Sequence, residues 1–253
     1  MDFSHLRIVL VRPQYSGNIG AIARAMLNFG VRDLALVNPA IVNRAQADIM
    51  AVHARSVLDT MQIHNSLSAA IADCGLVVGT TCRTGLYRDD ISSPRQLAPA
   101  IVTAMTANRV AIIFGPEDSG LSNADLRCCQ RLVTIPTDSG YPSLNIAQAV
   151  LVCCYEVFLA TQDRVDCEEI PARSLAVAEK QELMYEKLKD ALLRVGFLHE
   201  DNPEHIMFAF RRILGRAGLE DRDVRILLGM ARQIGWYAES GWRLRQQSSE
   251  CKT

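Results

Sequence analysis

Short apolar runs punctuate the first two thirds of the chain, at Leu6–Val11, 34–37, 76–78, 110–114 and 132–135. Each has strand length and leads into turn residues, so each reads as a buried strand. Between them the apolar positions recur at helical spacing. In residues 18–29, Ala21, Ile22, Ala25, Met26 and Phe29 share one face, and Gly30 stands where a left-handed glycine ends a helix. Further helical stretches occupy 45–54 and 67–72, and a long one opens at Ser143-Leu144-Asn145 and runs to Ala160. Ser122 with Asp125 three residues later resembles a capping box with the shorter acid, and starts another helix. Strands alternating with helices predict an α/β fold, a mostly parallel sheet with helices on both faces. Residues 84–98 carry turn signals and little periodicity, and read as a mobile loop over a site built at the strand ends.

Beyond Ala160 the pattern changes. Residues 161–173 are polar, acidic at Asp163, Asp166, Glu168 and Glu169, and contain Pro171, which reads as a linker. The remaining chain is helical throughout: 174–195, with Leu183, Leu188, Leu192 and Val195 expected on one side, then 203–216 and 221–237. Gly196 and Gly218 end helices, and Asn202-Pro203 starts one. The expected organisation is a first domain over 1–160, a linker over 161–173 and a small all-helical domain over 174–253.

The 49% hydrophobic and 22% charged content describes an ordinary globular protein. The first apolar run is short and contains Arg7, so it is neither a secretory segment nor a membrane span, and a cytoplasmic protein is expected. Eight cysteines include the pairs Cys128-Cys129 and Cys153-Cys154, but none forms C-x-x-C and no histidine stands at ligand spacing. Small buried thiols are expected, and no metal. A net charge of −1 provides no general attraction to nucleic acid, so any RNA affinity must come from local patches. Every lysine lies at or after Lys180, which leaves arginines as the basic residues of the first domain. Arg211, Arg212, Arg216, Arg222, Arg225 and Arg232 cluster in the last two helices, either as a solvated face among acids or as an RNA-docking surface.

Candidate chemistry gathers where strands run into loops. The run 110–114 leads into Gly115-Pro116-Glu117-Asp118-Ser119-Gly120-Leu121, and 132–135 leads into the loop from Pro136 to Pro142. The run 76–78 leads into Gly79-Thr80-Thr81-Cys82-Arg83. In open α/β sheets ligands collect beyond the carboxyl ends of the strands, so these loops should face one ligand. No G-x-x-x-x-G-K-[ST] is present and no G-x-G-x-x-G follows a strand, which disfavours a nucleotide triphosphatase and a dinucleotide-dependent oxidoreductase.

Three segments carry a resemblance. Asn18-Ile-Gly-Ala-Ile-Ala-Arg24, Phe114-Gly-Pro-Glu-Asp-Ser-Gly-Leu121 and Ile135-Pro-Thr-Asp-Ser-Gly-Tyr-Pro-Ser-Leu-Asn145 resemble, in order and spacing, the motifs of the SPOUT-class RNA ribose 2′-O-methyltransferases. Within that class they are most similar to the TrmJ branch. The resemblance covers about residues 5–160 and implies a trefoil knot, a homodimer and S-adenosylmethionine as cofactor. It implies tRNA as partner, with the ribose of an anticodon-loop pyrimidine, at nucleotide 32, as target. Another RNA such as ribosomal RNA, or a non-catalytic RNA-binding relative, are the alternatives. Carried over residue by residue, the cofactor would be held by Thr80, Thr81, Cys82, Gly115, Ile135, Pro142, Ser143 and Leu144. Catalysis would fall to Arg24, Asn18, Ser143, Asn145, Glu117 and Arg83. Gly85, where some members have a further arginine, and Pro116, where arginine or asparagine is commoner, depart from the pattern. Methyl transfer to a hydroxyl is an in-line displacement, in which alignment supplies much of the catalysis. The hydroxyl must also lose a proton, and an arginine, with a pKa above about 12, is a poor base unless strongly desolvated. Whether Arg24 accepts that proton or orients the hydroxyl or a phosphate stays open at this level.

Overall fold

A computed structural model describes residues 3–82, 91–163, 173–199 and 201–241. The chain divides into two compact units, Met1–Ala178 and Glu179–Thr253. The first is built on a seven-stranded sheet whose registered pairs are all parallel. Its strands in chain order are β1 (Leu6–Val11), β2 (Asp33–Val37), β3 (Gln62–His64), β4 (Cys74–Thr80), β5 (Ile91–Ser92), β6 (Arg109–Phe114) and β7 (Arg131–Val133), and across the sheet they lie in the order β3-β2-β1-β6-β4-β7-β5.

Strand β1 is buried at all six positions, including Arg7. Burying a guanidinium is costly unless its donors are matched. Here it donates to Asp33 Oδ2 at 3.0 Å, to the Ala70 carbonyl at 2.8 Å and to Asp73 Oδ1 at 2.7 Å, tying β1 to its neighbours. The helices around the sheet are α1 (Ser16–Asn28), α2 (Arg44–Ala51), α3 (Arg55–Thr60), α4 (Leu67–Ile71), α5 (Pro94–Met105), α6 (Asn123–Arg127) and α7 (Ile146–Asp163). At Gly20, α1 approaches α2 so closely that a Cβ would overlap the Ala47 carbonyl oxygen. Helix α7 is long and apolar enough to cross a membrane by length and composition, but its Val150, Cys153, Cys154 and Val157 lie in the core of this unit. Burial pushes the Cys153 thiol up to about 12, so it behaves as a small apolar group. Among the described cysteines Cys74 and Cys129 are also buried, whereas Cys82 is exposed and Cys128 intermediate.

Several expectations need correction. The loop expected over 84–98 is ordered from Ile91 onward, as β5 and the start of α5; residues 84–90 lie outside the described part. The start of α5 is written as Ser93-Pro94-Arg95-Gln96, a capping box with proline in the first turn, and both box hydrogen bonds form, Ser93 N to Gln96 Oε1 at 2.8 Å and Gln96 N to Ser93 Oγ at 3.3 Å. The helix expected over 45–54 stops at Ala51, where Val52 takes φ 55° and turns the chain into α3.

In the second unit the helices are α8 (Ala178–Arg194), α9 (Pro203–Ala217) and α10 (Asp221–Trp236). Helix α8 starts at Ala178 and not at 174: Leu175 still belongs to the first unit, where its N–H is held by Asn108 Oδ1 at 2.7 Å. Its buried side is Gln181, Met184, Tyr185, Leu188 and Ala191, and Leu183 and Val195, expected on that side, are exposed. Leu183 and Leu188 are five residues apart, which places them roughly 140° apart around the axis. Arg211, expected either on a solvated, salt-bridged face or on a docking surface, is mostly withdrawn from solvent: its guanidinium pairs with Glu182 and lies over the Tyr185 ring, 4.3 Å from the centroid.

Candidate active site

Strands β6, β4 and β7 are neighbours in the sheet, so the loops leaving their carboxyl ends converge. Thr80 Oγ1 donates to the Ile113 carbonyl at 2.9 Å and the Thr81 N–H to the Val133 carbonyl at 2.9 Å, which fixes the end of β4 against both neighbours. The three loops enclose a cleft of about 280 Å³. Thr80, Thr81, Cys82, Gly115, Ile135, Pro142, Ser143 and Leu144 all line it, together with Glu117, Asp118 and the apolar Phe114, Leu121, Val133 and Ala149.

The loop after β6 explains its own glycines. A Cβ on Gly115 would overlap the backbone of Gly120 and Leu121, and Gly120 takes φ 68° while its N–H donates to the Pro116 carbonyl at 2.9 Å. The loop therefore closes on itself, which the close approach restricts to glycine at 115 and the left-handed backbone favours at 120. Behind it Ser122 caps α6 and Asp125 bonds back to the Ser122 N–H at 2.8 Å. Asp125 also receives Arg12, at 2.6 Å, from the turn just beyond β1. Burial would raise the Asp125 carboxyl, but the hydrogen bonds from Arg12 and Ser122 outweigh it and hold the group below its ordinary value. Asp118, at the cleft wall, is held low chiefly by a hydrogen bond from Gln14 and then by Ser119. Reading the sequence missed Arg12, Gln14 and Asp118. Arg12 directly follows the apolar run of β1, and applying the strand-end rule to that run would have found it.

One hydrogen-bonded chain joins all three motif segments. The Ala147 N–H donates to Asn145 Oδ1 at 2.8 Å, Asn145 Nδ2 to Asn18 Oδ1 at 3.1 Å, and Asn18 Nδ2 to Glu117 Oε1 at 2.9 Å. The Gln14 N–H closes it on Glu117 Oε2 at 3.1 Å. A carboxylate only accepts and a backbone N–H only donates, so both ends fix the direction of both amides. Each amide keeps one N–H for another partner. Beside the cleft lies a second groove of about 650 Å³, bordered by Tyr15, Gly17, Gln46, Met50 and Tyr141, and the two share Glu117, Ser143, Leu144 and Ile146.

The structure does not bring every candidate together. Arg24 lies on the exposed side of α1, lines neither space, and has no hydrogen bond or ion pair among the described residues. Arg83 falls outside the described residues. Among the described residues no group of three or more His, Cys, Asp or Glu is placed to hold a metal ion.

Comparison with known proteins places these features in a family. Residues 5–155 match the SpoU rRNA Methylase family, and residues 179–247 match the C-terminal domain of the tRNA methyltransferase TrmJ. The tRNA (cytidine/uridine-2′-O-)-methyltransferase TrmJ of Salmonella typhimurium is 36% identical over 91% of this chain and 96% of its own. The protein of that name from Escherichia coli O6:K15:H31 is 37% identical over 91% and 95%. The crystal structure of TrmJ from Z. mobilis ZM4 superposes with a TM-score of 0.77 at 32% identity, over 90% of this chain and 98% of that one.

Proposed function

Since the chain belongs to the SpoU methylase family, in its TrmJ branch, we propose that it transfers a methyl group from S-adenosylmethionine to the 2′-hydroxyl of a tRNA nucleotide, a pyrimidine of the anticodon loop at nucleotide 32. The observation that carries this reading is the charge of the cleft. Its lining has the carboxylates of Glu117 and Asp118 and neither lysine nor arginine among the described residues. That suits a sulfonium cation and opposes a phosphorylated ligand. The apolar side, Phe114, Leu121, Val133 and Ile135, suits a flat heteroaromatic ring, and the loop backbones offer groups for its edge.

When bound, the cofactor supplies a methyl group activated by positive sulfur. The protein's part is alignment and proton management. The free N–H groups of Asn18 and Asn145 and the hydroxyl of Ser143 stand where the cleft meets the groove, and they orient a ribose edge without reading a base. Among the described residues Glu117 is the ionisable side chain common to both spaces, and each of its oxygens retains accepting capacity after its one bond within the chain of amides. We assign it the proton of the attacking hydroxyl. Arg24, which lines neither the cleft nor the groove, then serves by holding RNA phosphate, against its own chain or a second copy. The exposed apolar residues Leu151 and Tyr155 on α7 support a second copy covering that helix face. A cytoplasmic location follows from a tRNA substrate.

The test is incubation of the full chain with unmodified tRNA and methyl-labelled cofactor, digestion to nucleosides and mass spectrometry. A methyl on the sugar fragment of a pyrimidine at nucleotide 32 is expected. A methylated base fragment, or undiminished activity on a 2′-deoxy sugar at the target nucleotide, would overturn the assignment.

A further inference from the structure

We infer that the groove beside the cofactor cleft seats the target base, and that the side-chain amide of Gln46 lets it hold either pyrimidine. This rests on the reading of the cleft given above. A ribose held at Ser143 and Glu117, which border both spaces, has the cofactor on one side and so places its base in the groove.

The groove is furnished for a base. Tyr15 and Tyr141 border it and are 60% and 80% exposed, so aromatic faces stand bare there, and stacking on aromatic side chains is how unpaired bases are commonly held. Its floor is Gly17, where a Cβ would lie 3.7 Å from Met50 Cγ and 4.0 Å from Gln46 Nε2; the missing side chain leaves the space.

Gln46 differs from the other amides of the site. Asn18 and Asn145 are locked in direction by the chain of hydrogen bonds that ends on Glu117. The backbone N–H of Gln46 is capped by Asn43 Oδ1 at 3.2 Å, whereas its side-chain amide has no hydrogen bond among the described residues and is free to turn over. Uracil presents an acceptor at O4 and a donor at N3–H, and cytosine presents a donor at N4–H and an acceptor at N3. The two edges are mirror orders of the same pair. An amide, one donor beside one acceptor, matches uracil one way round and cytosine after half a turn. A locked amide would choose one pyrimidine. Because adenine and guanine repeat the two orders, Gln46 sets tolerance within a ring size and not between ring sizes.

The experiment measures kcat and KM for the full chain on two anticodon stem-loops that carry cytidine or uridine at the target nucleotide, with cofactor affinity by calorimetry as the control for folding. Gln46→Met is expected to lower kcat/KM about tenfold on both RNAs, mainly through KM, with cofactor affinity unchanged. Tyr141→Ala is expected to lose about tenfold, and Tyr141→Phe to recover most of that, since the ring stacks without its hydroxyl. Values for Gln46→Met and Tyr141→Ala within twofold of wild type on both RNAs would overturn the base seat while the cleft reading stands. A loss confined to one pyrimidine would overturn the turning amide. A wild-type chain that neither binds cofactor nor methylates either RNA overturns both readings.

Discussion

Asp125 caps its own helix and also anchors Arg12, and so holds the loop that carries Gly115–Leu121 against β1. Its carboxyl sits below the ordinary value, so its contribution to stability is full above about pH 4 and is lost as pH falls through the lowered folded value. Asp125→Asn is expected to cost about 1–3 kcal/mol at neutral pH, with the half-exposed Arg12 limiting the loss. Urea unfolding followed across pH should show the gap between wild type and variant closing in acid; a constant gap would refute the assigned ionisation. Arg24 poses a different question, because its place on α1 separates it from the cleft. Arg24→Ala is expected to reduce turnover by at least about a hundredfold while cofactor affinity stays within a few-fold. Parallel loss of both in kinetics and calorimetry would make it a structural residue.

The elements that could be read were those whose signals are local. The run Leu6–Val11 is a strand over those same residues, and the Ser122–Asp125 box starts α6, because burial on both faces and a cap depend on adjacent residues. Helix α5 was obscured by Pro99 inside it, although Ser93-Pro94-Arg95-Gln96 announced its start. The two-residue β5 and three-residue β3 were not legible, since strands that short form only because a neighbour offers a paired edge. The site was legible as loops and not as a network, because which amide meets which is fixed by the sheet order and not by spacing along the chain. The same limit applied to the α1–α2 contact, where Gly20 looked like any helix glycine. Gly20→Ala would improve helix propensity in isolation, yet here it is expected to destabilise the protein by about 1–3 kcal/mol, as its Cβ would overlap the Ala47 carbonyl. Thermal unfolding decides between the two, and a raised midpoint would show that the helices can part without cost.

At the scale of the whole molecule, the core and the cleft belong to the unit Met1–Ala178, and the exposed arginines Arg222, Arg225 and Arg232 belong to Glu179–Thr253. A chain ending at Ala178 is expected to stay folded and bind cofactor, and to lose about tenfold or more in tRNA affinity, with a shallower salt dependence. Gel-shift titration at two salt concentrations measures this, and full tRNA affinity in the shortened chain would remove the second unit from the docking surface. The sheet order also has a consequence in time. Strand β7 lies between β4 and β5, both made earlier in the chain, and among the described residues β5 pairs with no other strand. Until residue 133 has left the ribosome, one side of β4 is therefore an open hydrogen-bonding edge, and the short β5 has nothing to join. For about fifty residues of synthesis, a few seconds at cellular rates, the growing chain presents the kind of edge that recruits wrong partners.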